Sequence, residues 1–82
     1  MYVINSLFSF GNINKPVYVS QVTRIERSLP DPWNPHVLML YFYGHPSDGY
    51  EKIIRVWFYH SELTRHLDLD NIRDHYPKMV IK

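Results

Sequence analysis

The chain has 82 residues, 45% of them apolar and 16% aromatic, with nine Lys and Arg against eight Asp and Glu and no cysteine. A domain of this length buries only ~60% of the surface its unfolded chain exposes, so without disulfides its stability has to come from dense packing of large apolar side chains. The absence of cysteine excludes a disulfide framework and a thiolate nucleophile, and the net charge of +1 argues against an acidic nucleic-acid mimic and against a binder held by a basic surface.

Residues Tyr2 to Phe10 are apolar and partly alternating, and Gly11-Asn12-Ile13-Asn14-Lys15-Pro16 supplies turn chemistry, which predicts a strand and then a loop. A second strand begins at Pro16. Val17-Tyr18-Val19 alternates, but Val22 and Ile25 fall on opposite parities, so a bulge or a change of face is expected before Arg27. In Pro30-Asp31-Pro32-Trp33-Asn34-Pro35 each proline fixes φ, removes a donor and pushes its predecessor out of helix. A stiff extended loop carrying Trp33 follows from that.

His36 to Tyr43 and Glu51 to Tyr59 are β-branched and aromatic runs joined by a turn containing Asp48-Gly49, which predicts an antiparallel hairpin. Tyr50, Ile53, Ile54, Trp57 and Phe58 also match helical spacing, but these residue types favour strand. Ser61 reads as the N-cap of a short helix with Leu63 and Leu67 inward, Asp70 as a second cap for a turn running to Tyr76, and Lys78-Met79-Val80-Ile81 as a short terminal strand. The expected fold is one complete α+β domain, residues 1–82. Its mainly antiparallel sheet has about four or five strands, with a short C-terminal helix packed on one face.

Strict alternation along the hairpin puts Leu38, Leu40 and Phe42 with Ile54, Val56 and Phe58 on the core side. Met39, Tyr41 and Tyr43 with Arg55, Trp57 and Tyr59 then fall on the opposite side. Large amphipathic rings beside an arginine are enriched in protein-binding hot spots and can also stack unpaired bases. The bland alternative is a second face roofed by the Trp33 loop. The partner-binding residues expected are therefore Tyr41, Tyr43, Arg55, Trp57 and Tyr59, with Trp33 from the Pro-rich loop. A protein partner is favoured over single-stranded nucleic acid, because Glu51 to Phe58 lacks the basic, glycine-containing signature strand of RNA recognition motifs. A homodimer through the same face is a further arrangement the composition allows. Small standalone proteins with this profile are often products of phages or mobile elements that inhibit a host factor by occupying it.

Five histidines, at 36, 45, 60, 66 and 75, invite a metal or acid–base reading, most of all where His66, Asp68, Asp70, Asp74 and His75 crowd together. Their spacing matches no HExxH and no calcium loop. Asp70 as a cap and the others as solvated charges is the simpler reading. No G-x-S-x-G elbow and no glycine-rich phosphate loop occurs. Neither catalysis nor a metal or cofactor is therefore expected. The N-terminus lacks a basic region ahead of an apolar run, and no run reaches the ~18 apolar residues of a membrane span, so the cytoplasm is the expected location.

Tyr2-Val3-Ile4-Asn5-Ser6-Leu7-Phe8-Ser9, with Gly44-His45-Pro46-Ser47 downstream, faintly resembles the viral ring nucleases that open cyclic tetra-adenylate. In that family the N-terminal strand ends near an asparagine and the working histidine follows a glycine. The resemblance would imply a catalytic His45, but the helix-forming continuation after the histidine is replaced by Asp48-Gly49-Tyr50. The residues themselves read His45 as an exposed loop position beside a turn proline.

Overall fold

The computed structural model describes residues 2–10, 16–29, 37–45 and 49–82. The chain opens with two short antiparallel strands, β1 (Val3–Ile4) and β2 (Val17–Tyr18), which place Ile4 opposite Val17 and bury both. A 3-10 turn, Val19–Gln21, then carries the chain out of this pair and into β3 (Arg24–Arg27). The parity break between Val22 and Ile25 is thus a change of sheet.

β3, β4 (Leu38–Gly44) and β5 (Lys52–Tyr59) form an antiparallel sheet in the order β3-β4-β5. Both outer strands of this sheet meet a terminal segment. Phe10 bridges Phe58 antiparallel on β5, and Ile81 bridges Ile25 parallel on β3. The Ile25 N–H donates to the Val80 carbonyl at 2.8 Å, and the Lys82 N–H donates to the Ile25 carbonyl at 2.8 Å. The terminal strand expected from Lys78 to Ile81 is realised as this single bridge.

The hairpin forms over nearly the expected residues, but its faces differ from strict alternation. Tyr43 pairs with Ile53 while Phe42 pairs with Arg55, so Ile54 is an extra residue in β5. Such a bulge breaks the two-residue period. From that point Arg55, Trp57 and Tyr59 take the side of Phe42, Leu40 and Leu38, and Val56 and Phe58 turn to the other side with Tyr41 and Met39. The core therefore holds Trp57, 1% exposed, and Tyr59, fully buried, while Val56 and Phe58 are only partly buried. Phe42 and Trp57 meet edge-on, with ring centroids 4.5 Å apart, a geometry that adds to their area burial.

After β5, Ser61 caps helix α1 (Glu62–His75), its hydroxyl accepting from the Thr64 N–H at 3.2 Å. Asp70 lies inside this one continuous helix and caps nothing. The buried residues are Arg65, Asp68, Leu69 and Ile72, whereas Leu63 and Leu67 face outward. The i, i+3, i+4, i+7 spacing of the buried set is that of an amphipathic helix. Its phase includes two charged residues, Asp68, which accepts from Ser6, Leu7 and Tyr59, and Arg65, which donates to the Ser28 carbonyl. Ile4, Val17, Ile25, Leu38, Leu40, Phe42, Trp57, Tyr59, Leu69 and Ile72 make one core, with β1, β2 and α1 on the same side of the three-stranded sheet.

Candidate functional site

The opposite side of that sheet is the candidate interaction face. Cross-strand pairing puts Arg24 beside Tyr43, Glu26 beside Tyr41, Tyr41 beside Val56, and Met39 beside Phe58. All of these side chains are partly exposed, and Ile53 next to Tyr43 is more open still. Phe10 extends the face at one corner, its ring 6.1 Å from Phe58 and stacked on His60 at 3.8 Å.

Electrostatically the face is closed on itself. The Arg24 guanidinium lies 3.8 Å above the Tyr43 ring, a cation–π arrangement. Its Nε donates to Glu26 at 2.8 Å and its Nη1 pairs with Glu51. Thr23 Oγ1 adds a 2.5 Å hydrogen bond to the Glu51 carboxylate. The hydrogen bond from Arg24 is the main cause holding the Glu26 carboxyl below its ordinary range. Desolvation first, and the Glu26 charge second, push the Tyr43 hydroxyl above its ordinary value.

Of the residues expected to bind a partner, Tyr41 and Tyr43 lie on this face. Trp57 and Tyr59 are core residues on the other side and cannot touch a partner while the domain stays folded. Arg55 also turns to the core side, opposite Phe42. Its Nε and the Trp57 Nε1 are buried with no acceptor among the described residues. Trp33 lies outside the described residues.

Asp68, expected among the solvated charges, is 2% exposed. Its carboxylate accepts from Ser6 Oγ at 2.6 Å, from the Tyr59 hydroxyl at 2.6 Å and from the Leu7 N–H at 3.0 Å. Ser6 Oγ in turn accepts from the Ser9 N–H at 2.8 Å. Among the described residues no histidine joins this network, which clamps the N-terminal segment to α1. Fixing the helix phase on Leu69 and Ile72 would have put Asp68 and Arg65 inside from sequence alone.

The described histidines are dispersed. His66 pairs with Asp70 at 3.2 Å, His75 Nδ1 lies 2.9 Å from the Asn71 carbonyl oxygen, and His45 is exposed at the end of β4. Asn5 and His45, the two positions behind the ring-nuclease resemblance, line separate clefts. Among the described residues no group of three His, Asp or Glu could hold a metal, and no helix is long and apolar enough to cross a membrane. A cleft of about 440 Å³ between the 3-10 turn and the segment after α1 is lined mainly by Val19, Val22, Tyr76, Pro77 and Met79. Comparison with known proteins finds no matching family model, no matching curated protein and no matching solved structure.

Proposed function

We propose that this domain is a non-catalytic binding protein that engages a protein partner through the outer face of its three-stranded sheet. The observation that carries this reading is the one-sided layering. The helix and the β1–β2 pair pack on the core side, while Met39, Tyr41, Tyr43, Val56 and Phe58 stay partly exposed on the other. Tyrosine is a preferred residue at interface centres because its ring buries well and its hydroxyl still finds a partner.

The charge pattern favours protein over nucleic acid. A single-strand binder needs free cations beside its stacking rings, yet the Arg24 guanidinium is already engaged by two carboxylates and a ring. An apolar centre flanked by charges that already pair with one another suits a protein surface of similar composition. Occupying such a surface requires no turnover, so the activity that goes with this proposal is stoichiometric inhibition of a host factor.

A photo-crosslinking residue at position 41, compared with one at the exposed helix position 63, tests the reading in host lysate. The expected result is a protein adduct at 41, absent at 63 and unchanged by nuclease. Adducts that disappear with nuclease would transfer the face to nucleic acid. Equal labelling at both positions would remove it as a binding face.

A further inference from the structure

A second site lies away from the sheet face, between β3 and α1. Arg65 is 8% exposed on the inward side of the helix, and its Nη1 donates to the Ser28 carbonyl at 2.9 Å. Among the described residues no carboxylate stands within ion-pair distance of it. A buried charge is ordinarily paired, because desolvation without a counter-charge costs several kcal/mol, roughly, per ion. Arg65 has instead two neutral acceptors, the Ser28 carbonyl and, at 3.5 Å, its hydroxyl, and, facing the same space, another cation.

That cation is Arg27 of β3, whose Nε donates to the Lys82 carbonyl at 3.3 Å. Arg27, Glu62, Arg65, His66 and Leu69 line a polar cavity of about 190 Å³. Burial chiefly, and the charge of Arg27 next, weaken the hold of Arg65 on its proton, with Glu62 opposing. The His66 ring is turned to Asp70. Two guanidiniums thus face one carboxylate, which pairs with neither. The cavity is smaller than the ~300–1,000 Å³ of pockets that enclose whole small molecules. It matches a single anionic group, and two arginine forks present donors suited to the paired oxygens of such a group.

We infer that this cavity is an oxyanion-binding site, in which a phosphate-type or carboxylate group is held between the guanidiniums of Arg27 and Arg65. The site does not depend on the sheet face or on what binds there.

The test is titration of the intact protein with inorganic phosphate and, separately, acetate. Ionic strength is held constant with chloride, and amide chemical shifts and the melting midpoint are followed. Saturable shifts around Arg27, Arg65 and Leu69 are expected, with a rise in midpoint. Phosphate acting alone identifies a tetrahedral oxyanion, and acetate acting alone identifies a carboxylate. Arg27→Gln should weaken the effective anion about tenfold or more, as for losing a charge-assisted hydrogen bond. Arg73→Gln on the outer side of α1 should bind as the parent does. Arg65→Lys, which keeps the charge and loses the fork, should weaken binding too, and if it fails to fold Arg27→Gln decides. Absence of saturation with both anions, or equal affinity in Arg27→Gln and Arg73→Gln, would overturn the site.

Discussion

The Tyr59 hydroxyl donates to Asp68 Oδ2 at 2.6 Å, joining the end of β5 to the middle of α1 inside the core. The same oxygen takes the Ser6 hydroxyl, so one carboxylate fastens sheet, helix and N-terminal segment together. Hydrogen bonds to a buried charged group contribute more than neutral ones.

Tyr59→Phe removes one of the three donors and keeps the ring. A loss of about 1.5–3 kcal/mol is expected in urea unfolding. Asp68→Ala should cost more, because it strands the Tyr59 hydroxyl, the Ser6 hydroxyl and the Leu7 N–H at once. Asp70→Ala, on the exposed side of the same helix, should stay within about 0.5 kcal/mol of the parent. Equal midpoints for the Asp68 and Asp70 variants would refute the clamp.

Alkaline pH attacks the same contact. Burial first, then the hydrogen bond to Asp68 and its charge, raise the Tyr59 hydroxyl well above its ordinary value. A raised group keeps its full contribution below the unfolded pKa of about 10 and loses it as pH climbs from there toward the folded value. The unfolded chain ionises over that interval while folded Tyr59 stays neutral. Melting midpoints should therefore fall above pH ~10, and Tyr59→Phe should fall less steeply. Parallel curves for the two proteins would assign the alkaline loss elsewhere.

Trp57 and Tyr41 separate folding from binding. Trp57→Ala should cost about 3–5 kcal/mol, as for a core aromatic, and remove binding only by unfolding the domain. Tyr41→Ala should cost clearly less and still abolish partner capture. A stable Trp57→Ala protein would contradict the observed layering.

Gly44 has no room for a side chain, since a Cβ there would run into the Gln21 carbonyl oxygen and Ile54. Gly44→Ala should cost about 1–3 kcal/mol, as overpacking does, because the 3-10 turn has to move. A Cβ on Gly49 would meet nothing among the described residues, but its φ is 88°. Gly49→Ala should cost roughly 1–2 kcal/mol through the backbone alone. Amide shifts at residues 19–22 should move in the first variant and not in the second.

The hairpin, the Ser61 cap and the α+β class were legible because each depends on local chemistry: turn residues, β-branched runs and a hydroxyl ahead of a helix. Face assignment along β5 was not. Parity is cumulative, so one extra residue at Ile54 reverses every position after it, and nothing in Lys52-Ile53-Ile54-Arg55 marks the bulge. The helix phase was lost for a different reason. Leucine signals burial by itself, whereas Asp68 and Arg65 signal it only through partners on distant segments. Of the candidate face, Tyr41 and Tyr43 were legible because they precede the bulge's effect on β5.

The Tyr76 hydroxyl donates to the Val3 carbonyl at 2.9 Å across 73 positions, and Ser6 reaches Asp68 across 62. Contacts this distant in sequence slow folding, since the loop they close must be immobilised before they form. On the ribosome the Tyr76 and Asp68 contacts have to wait until α1 has emerged. Until then Leu69 and Ile72 cannot complete the core side of the sheet, where Trp57 packs. The aromatic layer that ends as interior therefore depends, during synthesis, on residues made after it for its cover.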